Sequence, residues 1–148
     1  MRRNVCGIFS ILLIFMISCS WSPEQKDILN AFNETVQSIN EHRWESASSL
    51  ISTSTIDFLD SLSADLSARG LPEYETGTDI LPVLCEDYID FSGDITMIFI
   101  QGEKAEITLS SSVSYKYPMI REGGQWRLDL TQKFRDRLDI ALTGSYVQ

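Results

Sequence analysis

Lys104-Ala105-Glu106-Ile107-Thr108-Leu109-Ser110-Ser111-Ser112-Val113-Ser114-Tyr115-Lys116 is the stretch whose periodicity decides the architecture. Ala105, Ile107, Leu109, Val113 and Tyr115 alternate with Glu106, Thr108, Ser110, Ser112, Ser114 and Lys116, and only Ser111 breaks the apolar side. Successive side chains of a strand point to opposite faces, so this pattern predicts one long strand, buried on one face and wet on the other. Such a strand belongs to an antiparallel sheet that is covered on a single side.

The neighbouring segments extend the sheet. Ile95 to Ile100 is a β run with both faces apolar, and Gln101-Gly102-Glu103 turns it back. Met119 to Arg121 makes a shorter strand, and Gly123-Gly124 supplies the positive φ angles of a tight hairpin. In the returning strand Trp126, Leu128 and Leu130 alternate with Arg127, Asp129 and Thr131. Thr131 then caps a last helix with Phe134, Leu138, Ala141 and Leu142 as its apolar stripe, ended by Gly144.

Upstream of Asp94 the period is helical. Ser22-Pro23-Glu24-Gln25 is a start signal: Ser at the N-cap, Pro at the first helical position and Gln closing a capping box. Ile28, Leu29, Phe32, Val36 and Ile39 form the stripe of a helix from about Pro23 to His42. Trp44 to Ile51 continues as a short helix, with Trp44, Ala47, Leu50 and Ile51 pointing inward. A third runs from about Ser54 to Arg69 on Phe58, Leu59, Leu62 and Leu66, stopped by Gly70 and Pro72. Leu71 to Gly77 reads as loop. Thr78 caps a shorter helix through about Tyr88, with Asp79 favourable at its start and Pro82 near its first turn. Helices followed by an antiparallel meander define an α+β protein, with N-terminal helices, about four strands and a C-terminal helix.

The front of the chain carries an address. Arg2 and Arg3 precede an apolar run from Val5 to Ile17, interrupted by Gly7 and Ser10 and closed by Met16-Ile17-Ser18-Cys19. The run is shorter than the roughly 20 residues a membrane-spanning helix needs and suits the core of a signal peptide. A small residue followed by cysteine resembles the lipobox of bacterial lipoproteins, although the usual pattern has Leu where Met16 stands and a small residue where Ile17 stands. The resemblance implies cleavage before Cys19, lipidation of that cysteine, and a protein tethered in the cell envelope outside the cytoplasm. In some of these bacteria the residue after the cysteine steers sorting. Ser20 is not the Asp associated there with inner-membrane retention, so the outer membrane is favoured. The expected organisation is a signal peptide over residues 1–18, an anchor and short linker over 19–22, and one domain over 23–148. Trp21 is placed either to lie in the membrane interface or to pack on the protein.

A second resemblance covers most of the mature chain. Trp44-Glu45-Ser46-Ala47-Ser48-Ser49-Leu50-Ile51, Gly102-Glu103-Lys104-Ala105-Glu106-Ile107 and Glu122-Gly123-Gly124-Gln125-Trp126-Arg127-Leu128 are similar to segments of NTF2-like domains. That resemblance implies a strongly curved sheet wrapped round the first helix into a cone. Relatives bind small apolar ligands there, catalyse isomerisation or dehydration, or mediate contacts between proteins. Phe32, Trp44, Phe58, Phe99, Tyr115 and Trp126 are the candidates to line such a cavity, although aromatic residues in a domain this small are more often plain core.

Charge and chemistry narrow the function. The formal net charge is −9, deepened by two when Arg2 and Arg3 leave, which argues against nucleic acid or anionic lipid as a ligand. Between Cys19 and Glu103 the bases are Lys26, Arg43 and Arg69, against 16 acidic residues. Such a surface is either a solvated helical face or one offered to a basic partner. His42 is the single histidine and sits at a polar helix end, so neither a zinc constellation nor a catalytic triad is expected. Cys85, among Leu81, Pro82, Val83 and Leu84, reads as a small buried hydrophobe. Glu86, Asp87, Asp90 and Asp94 lack EF-hand spacing and read as a solvated helix exit rather than a Ca²⁺ site. No Gly-rich phosphate loop or nucleophile elbow occurs, and no cofactor is expected. The expected function is a non-catalytic binding module in the cell envelope with an envelope protein as partner. The alternatives are a carrier of a small apolar ligand in the cone, or an isomerase- or dehydratase-like enzyme built on Asp129, Glu106 or His42.

Overall fold

The alternation around Ile107 belongs to two strands joined by a turn, not to one long strand. A computed structural model describes residues 21–143; Cys19, the leader and Gly144 lie outside the described residues. Strand β1 is Asp94–Gln101, β2 Lys104–Ser110, β3 Ser114–Glu122 and β4 Gln125–Leu128. The break falls at Ser111, whose N–H and hydroxyl both donate to the Val113 carbonyl at 3.2 and 3.3 Å. Serine side chains compete with a ladder in this way, bonding their own backbone two residues on. Val113, read from the sequence as part of the buried face, stands on this turn and is 55 % exposed. The shorter strand expected over Met119 to Arg121 is the far end of β3.

The four strands form one antiparallel meander in the order β1-β2-β3-β4. Its inner face is built of cross-strand rows: Ile98, Ile107 and Tyr117 in one, Ile100, Ala105, Met119 and Leu128 in the next. A register shift between Ile95 and Met97 puts a bulge in β1, a feature that bends a strand. The β3–β4 turn has Gly123 at φ 57 and Gly124 at φ 82, the two positive angles of a type I′ hairpin.

The helices cover that inner face. Helix α1 is Pro23–Asn40, and Ser22 accepts from the Gln25 amide while the Gln25 side chain accepts from the Ser22 amide. Ile28, Phe32 and Ile39 are buried in it, and so are Thr35 and Ser38. Thr35 satisfies its hydroxyl on the Ala31 carbonyl at 2.7 Å. Helix α1 ends in a Schellman motif in which the Arg43 N–H donates to Ser38 and the His42 N–H to Ile39. Helix α2 is Trp44–Leu50 and buries Ala47, and Ile51 beyond it forms a parallel bridge with Leu128.

Helix α3 is Thr53–Ala68, capped by Ser52. Helix α4 is Gly77–Tyr88, and its cap is Thr76, not Thr78. The Thr76 N–H and hydroxyl both donate to the Asp79 carboxylate at 2.8 Å, which fixes the start two residues earlier than the sequence suggested. Pro82 therefore lies inside the helix rather than in its first turn, where its missing N–H removes one rung of the ladder. Gly77 rests on α3: its N–H donates to Asp60, and a Cβ there would stand 2.7 Å from Leu59 Cβ. Helix α5, Thr131–Thr143, closes the fold with Phe134 fully buried. Among the described residues the architecture is α+β, five helices and a four-stranded antiparallel sheet. No helix among the described residues is long and apolar enough to cross a membrane. Trp21 packs against the core.

Candidate functional site

Three carboxylates of α1 share one face. At roughly 100° per residue, Glu24, Asp27 and Glu34 fall within a narrow arc of the helix. That arc forms one wall of a groove of about 680 Å³, with Pro23, Asn30 and Ala31 beside it and Arg121, Gly124, Gln125 and Trp126 of the β3–β4 hairpin opposite. The groove exists because α1 packs beside β4, so its acidic flank stands next to the hairpin.

Its electrostatics are one-sided. Among the described residues, Arg121 is the only cation in the lining, and it is committed. Its guanidinium lies 3.7 Å from Glu24 and 5.9 Å from the centre of the Trp126 ring. Among the described residues, Asp27 and Glu34 have no cation within ion-pairing distance. Trp126 and Leu50 add apolar surface to the lining.

The six aromatic candidates do not converge on a common cavity. Phe32 is buried on the inner face, its ring 5.7 Å from Tyr117 and 6.0 Å from Phe91. Trp126, 7 % exposed, borders the groove. Trp44 meets His42 edge-on at 5.5 Å beside a separate depression of about 340 Å³. Phe58 is half-buried beneath the Arg135 guanidinium at 5.3 Å. Tyr115 borders a small cleft against α5. Phe99, 57 % exposed, stands on the outer face of the sheet with Met97, away from the side that the helices cover. The inner positions hold large packed side chains, Tyr117, Ile28, Met119 and Ile107 among them.

The groups an enzyme would require are placed as follows. Asp129 follows β4 and accepts from the Thr131 amide at 3.0 Å, the Thr131 hydroxyl at 2.7 Å and the Thr55 hydroxyl at 3.1 Å. Burial pushes its carboxyl up, but these bonds and the Ser52 hydroxyl outweigh burial and hold it below the ordinary value. It is an ionised anchor at the start of α5. Glu106 pairs with Lys116 at 2.8 Å on the outer face of the sheet. His42 occupies the left-handed position after α1 at φ 56, with Glu86 at 3.5 Å and both side chains more than half exposed. Cys85 is buried beside them, and burial first, then the Glu86 charge, raises its thiol to about 12. No group of three or more His, Cys, Asp or Glu side chains among the described residues could hold a metal ion.

Comparison with protein-family models, curated proteins and solved structures finds no match for the chain. Beyond an acidic surface, nothing in the sequence pattern singles out the groove residues. The helical spacing of Glu24, Asp27 and Glu34 is the available signal, while Arg121 and Trp126 reach the same groove only through the hairpin.

Proposed function

We propose that the chain is a cell-envelope lipoprotein, anchored through Cys19, whose domain is a non-catalytic docking module of the NTF2-like kind. It receives a basic segment of another envelope protein in the groove between α1 and the β3–β4 hairpin. The observation that carries this reading is the charge of the groove: three carboxylates on one wall, and a single arginine already held by Glu24 and Trp126. An incoming Lys or Arg side chain would find Asp27 and Glu34 without competitors, and the Trp126 edge offers its stem an apolar contact. The packed inner face supports recognition at the surface over enclosure of a small apolar molecule. The short span from residue 19 to α1 holds the groove near the bilayer.

The test is recovery of partners from membranes by the acylated protein after cross-linking. The wild-type chain should return a stoichiometric basic partner, with binding that weakens as salt rises. Asp27→Lys with Glu34→Lys should lose it, while Asp57→Lys with Asp65→Lys on α3 should keep it. Equal recovery by both double variants would remove the groove from the reading. Cys19→Ser should abolish palmitate labelling, and persistent labelling would remove the anchor.

A further inference from the structure

At the other end of β3, helix α5 lays Lys133 over the Tyr117 ring and brings Arg137 to the same cleft as Tyr115. Lys133 and Arg137 are one helical turn apart, and with Tyr115, Tyr117, Asp90 and Asp136 they line a cleft of about 170 Å³. The Lys133 ammonium sits 4.4 Å from the centre of the buried Tyr117 ring. Tyr117 is itself fixed, its hydroxyl donating to the Asp90 carbonyl.

The hydrogen bonding of this cleft is unbalanced. Its two carboxylates are engaged: Asp90 accepts from the Ser92 amide at 2.8 Å, and Asp136 from the Gln132 side chain at 2.6 Å. Its donors are not. Lys133 is half-buried, and neither it nor Arg137 has a carboxylate within ion-pairing distance among the described residues. Burial, then the charge of Arg137, lowers the Lys133 ammonium from its ordinary value, while Asp136 opposes the shift. A half-buried ammonium facing a second cation, with only a ring beneath it, is a site short of one acceptor.

We propose that this cleft binds a small oxyanion, a carboxylate or phosphate group held between Lys133, Arg137 and the Tyr115 hydroxyl. The volume agrees with such a ligand: at about 30 Å³ for each water it holds five or six, below the roughly 300 Å³ at which drug-sized pockets begin. The Tyr117 ring forms the floor, and the anion would relieve the repulsion between the two cations. Asp90 and Asp136 set an upper limit on ligand charge. The site is separate from the acidic groove, which Arg121 marks four residues further along β3, about 13 Å away.

The experiment is a titration of the full-length chain with inorganic phosphate and, separately, with acetate. The readouts are the side-chain resonances of Lys133 and the ring resonances of Tyr115. Saturable shifts with either probe, absent with sodium chloride at matched ionic strength, are expected. Phosphate alone would assign a phosphate group, acetate alone a carboxylate. Lys133→Met should weaken binding about tenfold, and Arg137→Gln should weaken it by a smaller factor. Unsaturated shifts equal to those with chloride, or equal shifts at Lys26 on α1, would overturn the proposal. Both of those outcomes are read on the wild-type chain alone, so they hold even if a variant fails to fold.

Discussion

The Thr55 hydroxyl donates to the Asp129 carboxylate at 3.1 Å across 74 residues of chain, tying the first turn of α3 to the segment that begins α5. The Thr55 oxygen also accepts from the Leu130 amide at 2.9 Å, and the Ser52 hydroxyl lies 2.9 Å away. Thr55 and Ser52 are fully buried, so without Asp129 their hydroxyls lose a charged acceptor. Asp129→Ala should therefore cost about 2–3 kcal/mol of stability by urea unfolding at neutral pH. A loss within about 0.5 kcal/mol, the range of ordinary surface changes, would refute the role.

The same residue predicts a pH dependence. Its carboxyl is lowered in the folded chain, so the stability it contributes is complete above the ordinary carboxylate value of the unfolded chain. That contribution is lost as pH falls through the lowered folded value. The stability gap between wild type and Asp129→Asn should accordingly shrink from about pH 7 to about pH 3. A gap of constant size over that interval would show that charge plays no part.

Gly77 tests the contact between α3 and α4. A Cβ at this position would stand 2.7 Å from Asp60 Oδ1 and Leu59 Cβ and 2.9 Å from the Asp60 amide nitrogen. Because one of these is backbone and Leu59 is fully buried, the helices must move apart. Gly77→Ala should destabilise by about 1–3 kcal/mol despite the better helix propensity of Ala. An alanine variant as stable as wild type would mean that the helices are less tightly seated.

His42 predicts an order rather than a single value. It holds φ 56 after α1, a conformation that costs an L-residue roughly 1–2 kcal/mol and a β-branched one more. Its contact with Glu86 is largely exposed and gives little back. His42→Gly should match or exceed wild type in thermal stability, and His42→Val should fall below both. If Val is tolerated as well as Gly, the Schellman end of α1 is not under this constraint.

How much of the fold and site is legible in the chain depends on range. The start of α1 is written locally, in Ser22, Pro23 and Gln25, and the β3–β4 turn in Gly123-Gly124. The split between β2 and β3 is visible only as the single misfit of Ser111, whose side chain prefers a turn to a ladder. Thr76 is hidden as the cap of α4 because Gly77 looks like loop, whereas its missing Cβ is what lets α4 touch α3. Asp129 reads as the wet side of a strand, and its contact with the buried Thr55 arises only when α3 meets α5. Lys133 and Tyr117 are joined only where α5 lies against β3, which no spacing along the chain records.

Cys85 supplies the last prediction. It is 3 % exposed in α4, and burial, followed by the Glu86 charge, raises its thiol to about 12. At pH 8 the thiolate fraction of such a group is about one in ten thousand, against roughly a quarter for an ordinary thiol near 8.5. Since the thiolate is the nucleophile, native labelling should be slower by about three orders of magnitude, and steric cover slows it further. In a chain carrying Cys6→Ser and Cys19→Ser, a disulfide reagent at pH 8 should leave Cys85 unmodified until urea exposes it. Rapid labelling of the folded chain would place the thiol at the surface and undo the packing of α4 against α3 and α2.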